Sequence, residues 1–316
     1  MANNINGTYI FYEDGKEIYR ESNLITKFGK RYITQALAGL NGNDKKDIAI
    51  GIGTTAPSVN DTQLKFEFYR SQANTQSIDI QTSTVDGSTS YGVIYKTTLP
   101  TDASGVINEV GLFPSITFGT TDYQSKIIST FENRTEWFDS EGNLPTLAVD
   151  PVPPIGSSWM TVASVAGAIK EYSYNTFLDL IGYGSNDSLT LAYRQTDSNL
   201  DYTFIRLYSS DVDYYEIRFD ATSPGNKLNS ITLKDVYDNT YGFNAGSPSK
   251  EIIKISVGVK ANGTSSSTVL FDGLRINDED SFRMDYGLIS RSVLSNPQTK
   301  TLGKQMDIEY RLGLNF

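Results

Sequence analysis

Apolar and polar positions alternate along most of this chain, with the period of extended strands rather than helices. Residues 8–12 and 17–20 flank the turn Glu13-Asp14-Gly15-Lys16, which is a hairpin signal. Runs over 64–70, 76–82 and 91–99 alternate and are separated by turn residues, and 106–113 reads as a further strand. One stretch carries a helical period instead. Leu24, Phe28, Ile33, Ala36, Leu37 and Leu40 form a stripe, with Asn23 as its N-cap and Gly39 or Gly42 as its stop. A short apolar strand with glycines follows at 47–53. Residues 139–157, with Pro145, Pro151, Pro153 and Pro154, read as a loop. Beyond it, runs at 177–181, 189–193, 203–208, 214–219, 230–235, 251–259 and 268–276 recur at the spacing of an all-β sandwich. Residues 306–316 alternate strongly and close the chain as a strand, either packed within its own domain or offered at an edge for assembly.

Composition narrows the chemistry. Among 316 residues there is no histidine and no cysteine. That excludes disulfides, thiolate and imidazole catalysis, and every metal site built on cysteine or histidine ligands. Two oxygen-based options remain, a glycosidase-type carboxylate pair and a calcium site. Acidic clusters such as Asp211 with Asp213, and Asp278-Glu279-Asp280, read as exposed loops, so no catalytic residue is assigned and the chain reads as a non-enzyme. Gly51-Ile52-Gly53-Thr54-Thr55 lacks the Lys-Ser/Thr of a phosphate loop and the third glycine of a dinucleotide fingerprint; its glycines read as packing devices. A net charge of −10 without a basic cluster disfavours nucleic acid. No apolar run approaches the ~20 residues that cross a bilayer, and the first residues lack a signal-peptide pattern.

Two groups of residues go beyond a generic β protein. The first is Asn23-Leu24-Ile25-Thr26, then Leu37-Ala38-Gly39, then Gly51-Ile52-Gly53-Thr54-Thr55-Ala56-Pro57-Ser58 with Asp61-Thr62-Gln63-Leu64. Glu109-Val110-Gly111-Leu112-Phe113 and the ending Lys300-Thr301-Leu302-Gly303-Lys304 with 308–316 complete it. This set resembles the N-terminal part of bacteriophage tail proteins, particularly fibre, collar and baseplate components. In such domains the Gly-Leu-Phe strand and the ending lie a few tens of residues apart, whereas here about 190 residues separate them. An inserted domain explains the gap. The fragments Ser125-Lys126-Ile127-Ile128-Ser129 and Gly287-Leu288-Ile289-Ser290-Arg291-Ser292 mark the seam as two candidates for one strand slot.

The second group lies in the insert. Thr130-Phe131-Glu132-Asn133 with Glu136-Trp137, Tyr214–Phe219, Lys254-Ile255-Ser256-Val257 and 269–276 resemble strands of carbohydrate-binding-module-like jelly rolls. That resemblance implies a structural calcium between Glu132 and Asp272. It also implies glycan contact through exposed aromatics, for which Trp137, Trp159, Tyr183, Tyr193, Tyr202 and Tyr208 are the candidates. The expected architecture is therefore mainly β. A small α+β tail attachment domain with one main helix (1–128 plus 285–316) would carry an inserted antiparallel jelly-roll β-sandwich (129–284). The resemblance implies a structural part of a virion tail apparatus, made in the host bacterial cytoplasm. It would partner other virion tail proteins and a homo-oligomeric trimer or ring, with no nucleic acid and no membrane. Adsorption to host surface glycan through the jelly roll is the second reading, and a polysaccharide-degrading enzyme the third.

Overall fold

The computed structural model describes residues 5–40, 45–82, 89–115, 125–278 and 287–314. The chain begins with β1 (Ile5–Glu13), β2 (Lys16–Ser22), β3 (Leu24–Ile25) and α1 (Lys27–Leu37). There follow β4 (Lys46–Gly51), β5 (Glu67–Gln72), β6 (Thr75–Thr82), β7 (Thr89–Leu99) and β8 (Gly105–Pro114). Next come β9 (Lys126–Ser129), β10 (Trp137–Phe138), β11 (Thr146–Ala148), β12 (Trp159–Ser164), β13 (Ile169–Asp179), β14 (Ser188–Gln195), β15 (Leu200–Tyr208) and β16 (Tyr214–Asp220). The sequence ends with β17 (Gly225–Thr232), α2 (Leu233–Tyr237), β18 (Gly242–Ala245), β19 (Glu251–Ala261), β20 (Ser267–Asn277), β21 (Ser290–Lys300) and β22 (Met306–Leu314). The chain divides into two compact units, Met1–Thr120 with Ser281–Phe316, and Thr121–Asp280.

The split unit contains two five-stranded antiparallel sheets, β2-β1-β22-β7-β6 and β3-β21-β8-β4-β5. Strand alternation sends Tyr9, Phe11, Tyr95, Ile308 and Tyr310 from one sheet and Ile48, Ile50, Ile107, Val110 and Leu112 from the other into a single core. Asp14 and Gly15, at φ 50° and 78°, make the two-residue turn of the β1–β2 hairpin. Both positions need positive φ there. The main helix starts later than expected. Thr26 is its N-cap, accepting a hydrogen bond from Gly29 N at 2.9 Å, while Leu24 and Ile25 form β3 against β21. Asn23 instead donates to the Tyr310 hydroxyl at 2.9 Å. Leu37 and Leu40 are 75% exposed, so the apolar stripe is shorter than the sequence suggested. Gly39, at φ 70°, follows the helix as expected; Gly42 lies outside the described residues.

The paired glycines Gly51 and Gly53 of this unit have a physical cause. Glu109, fully buried on β8, accepts hydrogen bonds from Gly53 N (3.0 Å), Phe66 N (2.9 Å) and Lys65 N (3.1 Å). Arg291 of β21 binds the same carboxylate through Nε at 2.9 Å and Nη2 at 2.7 Å, and reaches Asp61 through Nη1 at 2.7 Å. A Cβ at Gly51 or Gly53 would stand within 2.7 Å of Glu109. The glycines pack against a buried carboxylate, and no phosphate loop is formed.

The second unit also contains two antiparallel sheets, β10-β13-β19-β15-β16-β18 and β11-β12-β20-β14-β17, with β9 on β20. Within them, β12-β20-β14-β17 and β13-β19-β15-β16 are the strand orders of an eight-stranded jelly roll. Its core lies between the sheets and includes Phe131, Trp137, Leu191, Ile205, Ile217, Val257 and Phe271.

Three sequence expectations are corrected. Lys126–Ser129 pairs with β20 in the jelly roll, whereas Ser290 and Arg291 pair with β8 and β3, so the two fragments do not compete for one slot. The boundary at 128 therefore moves ahead of β9. The run 230–235 is not one strand, because Thr232 accepts from Asp235 N at 3.1 Å and starts α2. The last strand, β22, lies between β1 and β7 with both sides paired, so it is not an assembly edge.

Candidate functional site

In a strand with one buried face, the aliphatic residues reveal which phase points to the core. On β15, Ile205 and Leu207 are core residues, which turns Tyr202, Phe204, Arg206 and Tyr208 to the opposite face. On β16, Tyr215, Ile217 and Phe219 are core, turning Tyr214, Glu216 and Arg218 outward. On β19, Ile255, Val257 and Val259 are core, and Lys254, Ser256, Gly258 and Lys260 share the outer face. Glu171 of β13 pairs with Gly258, and Phe243 of β18 with Glu216. The register therefore collects five aromatic rings, four cations and two glutamates on one sheet surface.

These side chains form a connected lattice. Glu216, its side chain 0% exposed, lies between Arg206 (2.7 Å) and Arg218 (2.6 Å), and Arg206 also binds Glu171. Burial disfavours the charged form of Arg206, but Glu171 and Glu216 outweigh it and raise its pKa. The cations also cover rings. The Arg206 guanidinium lies 4.5 Å from the Phe204 centroid and 5.1 Å from Tyr214, and that of Arg218 lies 4.5 Å from Tyr202 and 5.2 Å from Phe243. Tyr208 and Tyr214 stand 4.7 Å apart, and Tyr214 meets Phe243 edge-on at 5.8 Å. Gly258 makes this packing feasible, since a Cβ there would be 2.2 Å from Phe204. Beside Arg218 a cleft of about 330 Å³ opens, lined also by Asn229, Ser230, Thr232, Asp235 and the exposed Tyr241.

The sequence candidates divide sharply on this surface. Tyr208 and Tyr202 belong to it. Trp137 does not: it is 0% exposed, with Phe131 at 4.8 Å and Tyr174 at 5.4 Å, and is a core residue. Tyr183 and Tyr193 are likewise in the core cluster. The Tyr193 hydroxyl accepts from Asn229 at 3.0 Å, and burial pushes its pKa up to about 12. Trp159 is also fully buried, donating to the Pro151 carbonyl. Trp137, Tyr183 and Tyr193 fill the space between the sheets, whereas Trp159, out of phase with the core residues Met160 and Val162, is buried on the other face of β12. Of the missed residues, Tyr214, Arg206, Arg218 and Glu216 were marked in the sequence by being out of phase with the aliphatic positions, whereas Phe243 and Lys254 are placed on this face only by strand pairing.

The expected carboxylate pair does come together. Asp272 on β20 is fully buried; its Oδ2 accepts from Ile155 N at 2.8 Å, while Oδ1 has no hydrogen-bond partner. Glu132 accepts from the backbone and the hydroxyl of Ser157, two residues along the same turn. Gly156, at φ 66°, leaves room for the Glu132 carboxyl, whose Cδ would be 2.2 Å from a Cβ. Burial first, then the charge of Glu132, raises the Asp272 carboxyl well above the ordinary range. A buried carboxylate oxygen without a partner is costly, and an oxygen-seeking cation satisfies it. The donor set fits such an ion, with Glu132 and Asp272 as its carboxylates. Among the described residues no group of three or more Asp or Glu side chains converges, so backbone carbonyls would supply the remaining ligands. The acidic cluster at 211–213 is local: Asp213 accepts from Ser247 N at 3.0 Å and binds Ser210. Glu279 and Asp280 lie outside the described residues.

No family model and no curated protein matches the chain. Several solved structures resemble about half of it. One is a family 11 carbohydrate-binding module from Clostridium thermocellum in complex with a β-1,3-1,4-mixed-linked tetrasaccharide. It is 14% identical, with a TM-score of 0.35, over 50% of this chain and 97% of that one. A family 28 module specific for non-crystalline cellulose is 11% identical, with a TM-score of 0.31, over 50% of this chain and 95% of that one. An exo-β-agarase is 12% identical, with a TM-score of 0.34, over 48% of this chain; the chain spans about a quarter of that enzyme's length, 24%. The jelly-roll assignment stands on the strand order itself.

Proposed function

We propose that this protein is a glycan-binding component of a tailed-phage virion. The jelly roll would adsorb to carbohydrate through the outer face of the β13-β19-β15-β16-β18 sheet, and the split unit would attach to other tail proteins in a symmetric homo-oligomer. The observation that carries the glycan reading is the row of rings and charged groups assembled on that face. A pyranose has apolar C–H faces and a rim of hydroxyls. Rings take the former, while guanidinium and carboxylate groups hydrogen-bond the latter. Because the side chains stand on paired strands and brace one another, little order remains to be imposed on binding. The half-buried Tyr214 and Phe243 are the rings with free area for stacking. The attachment reading rests on the tail-protein-like residues, whose glycines and Glu109 form the buried knot described above.

A glycan array with the full chain tests this reading. Binding is expected, and Tyr214→Ala and Phe243→Ala should each weaken it by about tenfold or more. Their thermal transitions should stay near that of the parent. Binding unaffected by both substitutions would show that this face does not hold the glycan. Immunogold labelling of phage particles is expected to mark the tail, and sedimentation to give a trimer or a ring; unlabelled particles would count against the virion assignment.

We also infer that calcium occupies the Glu132–Asp272 site as a structural ion. Removal by a chelator should lower the melting temperature by on the order of 5–10 °C, relative to calcium at about a hundred times its Kd. Asp272→Asn should abolish that response. An identical melting temperature with and without chelator would rule out a stabilising ion.

A further inference from the structure

We infer that the glycan recognised by this face is acidic, carrying carboxylate, sulfate or phosphodiester groups, and that Lys254 is the residue that selects it. This rests on the glycan-binding reading and extends it to a ligand class. Residues 121–280 hold 22 of the 37 acidic residues and only 12 of the 27 basic ones, so this unit carries the whole formal charge of −10. Its general field repels anions. Four of those twelve cations nevertheless gather on one sheet face, each over a ring: Arg206, Arg218, Lys254 and Lys260.

Three acids of that face are already engaged. Glu216 is enclosed by two guanidinium groups, Glu171 is bound to Arg206, and Asp201 lies 3.3 Å from Lys260. Asp220 sits opposite Tyr202, at the other end of β15 from Tyr208. Lys254 differs: among the described residues no carboxylate lies within ion-pair distance of its ammonium, which rests 4.1 Å from the Tyr208 centroid. A neutral sugar stacking on Tyr214, whose ring centroid lies 4.7 Å from that of Tyr208, offers this ammonium no counter-charge. An acidic sugar supplies that charge at the same place, forming a charge-assisted contact where the protein left one unmade.

The test is an array of neutral polysaccharides (glucans, galactans, mannans) beside acidic ones (polygalacturonate, alginate, hyaluronan), followed by calorimetry on the full chain. Polygalacturonate oligomers and their methyl esters serve as a pair matched in backbone. Acidic glycans are expected to bind at least about tenfold tighter than neutral counterparts, with affinity falling between low and high salt. Lys254→Gln should lose on the order of tenfold and flatten the salt dependence, while Lys254→Arg retains both and neither changes the melting temperature. Neutral glycans binding as well as acidic ones, independently of salt, would overturn the ligand class and leave the glycan reading intact. Acidic binding untouched by Lys254→Gln would overturn the selecting role of Lys254. Absence of binding to every polysaccharide would overturn both this inference and the glycan reading.

Discussion

Arg291→Leu is expected to destabilise the split unit by about 3–5 kcal/mol, because it leaves the buried Glu109 without its cation, while Asp61 keeps Lys65 at 3.5 Å. Arg291 is 0% exposed and satisfies Glu109 and Asp61 at once. Three backbone N–H groups still point at Glu109 after the substitution, but they do not neutralise it. The cost arises from stranding Glu109 rather than from losing an attraction, so a compensating change there should recover part of it. Glu109→Gln in the Arg291→Leu background is expected to be less than additive. Equilibrium denaturation of the two single variants and the double measures this. A loss below about 1 kcal/mol for Arg291→Leu would mean that the knot contributes little. The arrangement also bears on how an inserted domain is tolerated. Asp61 and Glu109 precede the jelly roll in sequence and Arg291 follows it, so the buried ion pairs join the two separated segments of one unit.

Trp137→Ala should cost about 3–5 kcal/mol in the jelly roll, the range for removing a large aromatic from a packed core. Its ring is enclosed by Phe131 and Tyr174 and leaves a cavity that the stiff sheets on either side cannot close. Thermal unfolding followed by near-ultraviolet circular dichroism reads the effect. The contrast with Tyr214→Ala is informative. The core variant should lower stability, and binding only through unfolding, whereas the face variant should lower binding with stability retained. A Trp137→Ala protein of unchanged melting temperature would contradict its place in the core.

Much of this architecture was legible in alternation alone. The β1–β2 hairpin and the strands β4, β7, β8, β15, β16, β19 and β20 follow from period-two runs and turn residues, while the interruption of one unit by another was expected only through the tail-protein resemblance. Other features were hidden for identifiable reasons. Leu24 and Ile25 suit a helix stripe and a strand equally, and only pairing with β21 decides between them. Thr232 with Asp235 three residues on is a capping pattern that a strand-rich reading passes over. Whether β22 is an edge or an interior strand depends on which strands flank it, which its own alternation does not encode.

The site was the least legible part. Both faces of the sheet carry aromatics, so ring identity does not separate Tyr214, which faces out, from Tyr215, which faces the core. Phase relative to Ile217 does. Trp137 sits in a two-residue strand, too short to show any phase, and only packing reveals its burial. Glu132 and Asp272, distant in sequence, were paired through resemblance; their common turn at 155–157 is a tertiary fact.

Carbohydrate binding is proposed for one sheet face of the jelly roll. A crystal structure of the protein with the tightest-binding oligosaccharide tests it most directly. A sugar ring is expected in van der Waals contact, within about 4–4.5 Å, with Tyr214 or Phe243, and hydroxyl or acidic groups on Arg206, Arg218 or Lys254. An oligosaccharide bound at any other surface, with this face empty, would contradict it.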